Sequence, residues 1–277
     1  MSNRRTFVKS GVAALATLGL PISQASAFSK SAYKPKLGVA GYSFVNFNLE
    51  DSLKMMKRMQ ISYLCIKDFH LPFKSSIDEI SAFHQKLAEA GVKGYAVGPI
   101  YMNKSIEEID NAFEYAKRVG VDLIVGIPRK EDLDYISKKT EEYNIRYAIH
   151  NHGPEDKLYP NATVINDLIK DLGPKMGICF DMGHNARDGH NSVKDLKKYA
   201  HRIFDIHLKN ITEAADAGRT TELSRGVLDI PAFVKTLKDI KYQGVCSLEF
   251  EKDMKDPLAG IAESAGYFRG VVDVVCK

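Results

Sequence analysis

Residues 106–126 read IEEIDNAFEYAKRVGVDLIVG, and this stretch carries the pattern that organises the chain. Ile106–Val119 has helical periodicity, Gly120 interrupts it, and Val121–Gly126 is a short apolar run rich in β-branched residues, as a buried strand requires. The same alternation extends in both directions. Strands are expected at Leu37–Ser43, Ile61–Lys67, Val92–Val97, Val121–Gly126, Ile145–His150, Met176–Asp181, Ile203–Leu208 and Val245–Glu249. Helical stretches lie between them, for example Leu49–Met59, Ile77–Ala90, Ile106–Val119 and Pro231–Ile240. Gly91, Gly120 and Gly244 stand before strands as helix-end breakers or turn residues. Eight strands, each followed by a helix, imply parallel pairing through crossover helices. An open doubly wound sheet competes, but it advertises a glycine-rich phosphate loop after its first strand, and Gly41-Tyr42-Ser43-Phe44 is not one. Eight units in about 240 residues predict an α/β single domain, the closed (β/α)8 (TIM) barrel.

The composition is that of a folded chain. Of 277 residues, 44% are apolar and 27% charged, which excludes a disordered or fibrous protein. No apolar run approaches the roughly 20 residues of a membrane helix. Three of the 39 basic residues, Arg4, Arg5 and Lys9, fall in the first 27 positions, where there is no acid. The remainder carries 36 basic against 35 acidic residues, so no nucleic-acid partner is indicated.

Asn3-Arg4-Arg5-Thr6-Phe7-Val8-Lys9 resembles the twin-arginine export signal. A weakly apolar stretch from Gly11 to Leu20, Pro21 and the small-residue site Ala25-Ser26-Ala27 complete the pattern. Residues 1–27 are therefore expected to be a signal peptide and residues 28–277 the barrel, with the mature chain starting near Phe28 in the periplasm. No cysteine lies near the cut, so no lipid or membrane anchor is expected after processing. Cys65, Cys179 and Cys246 sit within apolar runs, and buried free thiols account for these and Cys276 better than two disulfides.

In a (β/α)8 barrel, chemistry sits at the carboxyl ends of the strands. Those ends read Lys67, Gly98, Ile127, His150, Asp181, His207 and Glu249. The last four are metal-competent side chains from consecutive strands. Converging carboxylates repel one another, and a divalent cation offsets both that repulsion and the cost of burial. A mixed nitrogen–oxygen set suits zinc, manganese, cobalt or iron. Taken singly, each residue has a plainer role: Asp181 as a helix cap, His207 bonded to a carbonyl, Glu249 paired with Lys209, His150 as a polar lid. Four together favour metal.

Phe180-Asp181-Met182-Gly183-His184, His207-Leu208-Lys209-Asn210, Ser247-Leu248-Glu249-Phe250-Glu251 and Ser224-Arg225-Gly226-Val227-Leu228-Asp229-Ile230-Pro231 resemble motifs of the xylose isomerase-like barrel superfamily, the sugar phosphate isomerases/epimerases. The resemblance covers residues 28–277, with its motifs clustered in the second half. In that family a glutamate on strand five, an aspartate on six, a histidine on seven and a glutamate on eight bind one divalent ion. The resemblance implies Asp181, His207 and Glu249 as ligands and His184 as a substrate contact. Strand five departs: many epimerases carry glutamate where this chain has His150, in Ile149-His150-Asn151-His152-Gly153. Histidine still ligates metal, but two glutamates no longer face each other across a sugar carbon. The His-Asn-His end resembles a branch associated with keto-sugar chemistry, including elimination from 3-keto-glycosides.

The expected function is a divalent-metal-dependent sugar isomerase or epimerase, with a lyase on keto-sugars as the alternative. A non-catalytic sugar-binding barrel is a further reading, and a multinuclear phosphodiesterase of the apurinic-endonuclease type is disfavoured by the neutral charge balance. The cofactor expected is one divalent ion, with manganese, zinc, cobalt and magnesium as candidates. Glu249 or His152 is the candidate base, and Lys209 and Lys67 are candidates to hold substrate oxygens or developing charge. A salt bridge to Asp68 is the other role for Lys67. Ile211–Leu228 is expected to cover the substrate, with Arg219 or Arg225 gripping any anionic group and His70 forming another wall. Tyr42, Phe44, Phe69 and Tyr101 either stack on sugar faces or pack. The partner is a small sugar or keto-sugar, and a homo-oligomer stays open.

Overall fold

The computed structural model describes residues 33–277. The signal and cleavage site assigned to residues 1–27, and Phe28 as a mature start, lie outside the described residues. Eight parallel strands close into a barrel: β1 (Lys36–Ala40), β2 (Tyr63–Ile66), β3 (Lys93–Met102), β4 (Leu123–Pro128), β5 (Arg146–His150), β6 (Met176–Asp181), β7 (Ile203–Leu208) and β10 (Val245–Leu248). The short antiparallel strands β8 (Asn210–Ile211) and β9 (Thr220–Thr221) form a separate ribbon between β7 and β10. Outside run α1 (Leu49–Met59), α2 (Ile77–Glu89), α3 (Ile106–Val119), α4 (Leu133–Tyr143), α5 (Ala162–Ile169), α6 (Met182–Arg187), α7 (Ser192–Lys198), α8 (Ile230–Asp239) and α9 (Leu258–Val275). Neighbouring strands pair in chain order, and β1 pairs with β10, Lys36 opposite Val245, to shut the cylinder.

Local chemistry sets these boundaries. Asn48 caps α1, Ser76 and Glu79 form a capping box on α2, and Asp229 caps α8 ahead of Pro231; each such cap contributes about 1 kcal/mol. Gly120 ends α3 at φ 76°, where a side chain would be strained. Strands β6 and β7 end at the residues expected from the sequence. The first strand stops early, because Gly41–Phe44 tightens into a 3₁₀ turn, and β3 runs beyond Val97 to Met102.

Along the strands, alternate residues face outward into the helix layer. Tyr147, Ile149, Met176, Ile178, Phe180, Ile206, Cys246 and Leu248 belong to that outer core. The intervening residues face the barrel axis. All four cysteines are buried free thiols, as expected.

The segment Ile211–Leu228 is not a free flap. The β8–β9 ribbon ties it down, and buried Asn210 accepts from the amides of Ile211 and Leu228 while donating to Leu223 O. Gly226 packs so closely that a Cβ there would lie 2.1 Å from Asn210 Oδ1. The segment is a fixed wall.

Candidate metal centre and active site

The period of two places His150, Asp181, His207 and Glu249 together at the carboxyl end of the axis. Beneath them, two residues earlier on the same strands, lie Ala148, Cys179, Asp205 and Ser247. One donor atom from each upper residue lies within 4.8 Å of the others, and all four residues are buried. His150 Nε2 is 2.9 Å from His207 Nδ1 and 3.8 Å from both Asp181 Oδ2 and Glu249 Oε2. His207 Nδ1 is 3.1 Å from Glu249 Oε2. An ion about 2.0–2.2 Å from each ligand holds neighbouring ligand atoms about 3.0–3.5 Å apart, so the spacing fits a single ion. The donor set fits too: Asp181 Oδ2 is fully buried and accepts no hydrogen bond, its neighbouring charge being the Lys209 ammonium at 3.2 Å. Asp181 fills the plainer role anticipated for it, because its Oδ1 caps α6 by accepting from His184 N at 2.7 Å, and this leaves Oδ2 as the donor atom that faces the cluster. Asn151 locks this strand end by bonding both the amide and the carbonyl of Asp181.

Lys209 lies at the centre of the charge pattern. Its Nζ is 2.9 Å from Glu249 Oε2, 3.2 Å from Asp181 Oδ2, 2.6 Å from Glu251 Oε2 and 2.9 Å from His184 Nε2, and the residue is 1% exposed. A Cβ at Gly183 would meet the Lys209 stem at 2.8 Å, so the glycine of Asp-Met-Gly-His is what allows this approach. Burial alone would raise the Glu249 carboxyl, but the cations of His207 and Lys209 hold it well below the usual carboxylate range. Burial wins at Asp181, raised to about 6 with Lys209 offsetting only part. Burial and then neighbouring histidines push His150 well down, and burial and then Lys209 do the same to His184, so both rings are neutral. At His207, burial is outweighed by Glu249 and Asp205, and the ring is raised to about 9. A metal ion and the Nδ1 proton of His207 therefore compete for one lone pair.

Above the donors opens a cavity of about 670 Å³ lined by Tyr42, Lys67, Tyr101, His152, His184 and Glu249, among others. His152 Nδ1 faces Asp156 Oδ2 at 3.3 Å, and its ring is parallel to that of Tyr101 at 6.0 Å. Tyr101 is 59% exposed, so here the aromatic forms a wall and is not core. Lys67 lines the cavity, and its ammonium makes the anticipated salt bridge to Asp68 as well as a bond to Pro99 O. A neighbouring lobe is walled by Thr212, Arg219, Thr220 and Lys252.

Two expected substrate contacts are corrected. His70 turns toward α1, with Nε2 at 3.2 Å from Ser52 Oγ and 3.1 Å from Phe47 O, and lies outside the cavity because the chain after β2 folds back over α1. Arg225 is an exposed surface residue paired with Glu263 on α9, since Asn210 and Gly226 pin its loop away from the mouth. Phe44 is core, and Phe69 stands outside the cavity. Sequence reasoning missed Glu251, Asp156 and Asp205; Asp205 lies two residues before His207 on the same face of β7, and Glu251 two residues after Glu249, beyond the end of β10. A second cavity of about 660 Å³ lies at the amino ends of the strands, the face associated with stability and not chemistry.

Known proteins agree with this architecture. The chain is 28% identical over 166 residues to an inosose isomerase of Bacillus licheniformis, covering 52% of this chain and 59% of that protein. It is 33% identical over 91 residues to an inosose dehydratase of Clostridium botulinum, covering 27% of this chain and 30% of that one. Both matches thus span less than two thirds of the curated relatives' own length. A solved structure from Parabacteroides distasonis superposes with a TM-score of 0.66 at 28% identity, over 84% of this chain and 97% of that chain. Over residues 40–271 the sequence matches the family of xylose isomerase-like TIM barrels, and the chain belongs to that family.

Proposed function

We propose that this chain is a divalent-metal-dependent isomerase or epimerase of a sugar or keto-sugar, acting by proton abstraction next to a carbonyl. The observation that carries the reading is the convergence of His150, Asp181, His207 and Glu249 directly beneath a cavity that also presents an unshielded histidine. A divalent ion held by those four residues would polarise the substrate carbonyl and stabilise the charge that develops as the adjacent proton leaves. His152, its Nδ1 oriented by Asp156, has Nε2 left for that proton. Glu249 is the second candidate, held ionised by His207 and Lys209. Lys209 and His184 present hydrogen-bonding groups beside the donors, and Tyr42 and Tyr101 wall the cavity for a sugar face. Returning the proton gives an isomer or epimer; expelling a group from the next carbon gives a lyase. The second outcome is favoured specifically by His150, which leaves the two proton-handling groups chemically unlike. The paired arginines and small-residue site near Ala27 support an exported enzyme that meets unphosphorylated sugars.

The test is deuterium wash-in. Keto-sugars, linear and cyclic, are incubated in D2O with the chain loaded with manganese, zinc, cobalt or magnesium, and followed by NMR. Exchange beside the carbonyl is expected, falling at least ~100-fold in Glu249→Gln. About one bound ion per chain is expected, lost in Asp181→Ala. No exchange with any ion, together with unaltered sugar affinity in Glu249→Gln, would replace the enzyme by a binding protein.

A further inference from the structure

Asp205 is fully buried in the barrel axis, where side chains are ordinarily branched and apolar. A lone carboxylate there is costly, and among the described residues no lysine or arginine pairs with it. Its partners are Tyr95, which reaches across from β3 with Oη at 2.9 Å and 3.0 Å from the two carboxylate oxygens, and Cys179 Sγ at 3.7 Å. Ser247 Oγ lies 2.6 Å from the same Tyr95 hydroxyl. The phenol has one proton, so it donates to Asp205 and accepts from Ser247. Every group in this arrangement is therefore oriented.

Directly above is the donor cluster. Asp205 and His207 are two apart on β7 and share its inner face, with Asp205 Oδ2 at 3.8 Å from His207 Nε2. That nitrogen is buried and makes no hydrogen bond, in a residue that is wholly buried. The ring's Nδ1 is the atom that meets His150 and Glu249. Which nitrogen keeps a proton decides whether Nδ1 has a lone pair to give.

We propose that Asp205, held by Tyr95 and Ser247, is a positioning residue that keeps the His207 proton on Nε2 and so commits Nδ1 to the donor cluster. The proposal rests on the metal reading of that cluster. Asp205 touches neither substrate nor reacting atoms; it acts through His207 alone, as a carboxylate behind a metal-bound histidine acts generally.

The experiment is zinc affinity by chelator competition for the wild type, Asp205→Asn and Tyr95→Phe, with ¹⁵N spectra of the His207 ring. Asp205→Asn is expected to weaken zinc by about 10–100-fold and to mix the ring tautomers, without a lower melting temperature in the zinc-free protein. Tyr95→Phe is expected to move both readouts in the same direction by less. A zinc affinity in Asp205→Asn within about fivefold of wild type, with Nε2 still the protonated nitrogen, overturns the proposal. Should Asp205→Asn not fold, Tyr95→Phe decides: a pure Nε2–H signal and unchanged affinity refute it. Wild type that binds no zinc defeats the metal reading itself; His207 ring orientation in crystals of Asp205→Asn then judges the proposal, with an unturned ring counting against it.

Discussion

Replacing Lys209 by methionine should unfold the ion-free protein early and make its stability depend on metal. The lysine is 1% exposed and lies within 3.2 Å of carboxylate oxygens of Asp181, Glu249 and Glu251, of which the first two residues are 0% and 4% exposed. Methionine fills the stem's volume against Gly183 but removes the ammonium that lies between those two buried acids. Breaking a buried ion pair from one side costs about 3–5 kcal/mol. For a chain of this size about 2–4 °C of melting temperature follows each kcal/mol, so a drop of roughly 6–20 °C is expected under chelating conditions. A divalent ion restores positive charge beside the same oxygens, so saturating manganese should recover most of the loss. The assay is differential scanning fluorimetry of both proteins with chelator and with manganese. A Lys209→Met protein that melts within about 2 °C of wild type in chelator would refute the reasoning, because it would mean those carboxylates do not depend on the lysine.

Ion binding should release protons, since His207 is raised to about 9 and must give up its Nδ1 proton; calorimetry in buffers of different ionisation enthalpy at pH 7.5 should count about one proton per ion, and affinity should rise with pH until about 9. Burial raises Asp205 from 3.8 to about 6, so between those values the native state holds more protons than the unfolded chain and stability falls as pH rises. Above pH 6 that shift of about two units amounts to ~3 kcal/mol, so Asp205→Asn should melt higher than wild type at pH 8 in chelator and match it near pH 4; a lower melting point at pH 8 would count against this. Asn210→Ala should leave the amides of Ile211 and Leu228 unpaired, at about 1–3 kcal/mol each, and expose the loop after β9 to protease within a fold that stays intact by circular dichroism.

Much of the site was legible because strand periodicity is short-ranged. Once Met176–Asp181 and Ile203–Leu208 were recognised as strands, their last inward residues followed without tertiary information. The same period also encoded the layer beneath, in Cys179-Phe180-Asp181, Asp205-Ile206-His207 and Ser247-Leu248-Glu249. Nothing local distinguishes that layer from ordinary barrel filling, because its residues sit one step inside the strand ends where chemistry is expected. What could not be read were contacts decided by loops. His70 bonds to Ser52 on α1, and Arg225 reaches Glu263 on α9, through chain paths that no local pattern records. The ribbon that fixes Ile211–Leu228 has strands of two residues, below any periodicity signal. Lys209 was anticipated beside Glu249, but its full cage required Glu251 and His184 to converge from separate segments.

The seam between β1 and β10 has a consequence for biosynthesis. Lys36 waits for Val245, and Glu249 is the last of the four donors to leave the ribosome. Until then the nascent chain carries two unpaired sheet edges, at β1 and β7, which are templates for aggregation and for chaperone capture. An ion gripped by all four donors is thus acquired only after synthesis has passed Glu249. On the metal reading proposed above, the ion would be chosen in whichever compartment the seam first closes, from the ions that compartment offers.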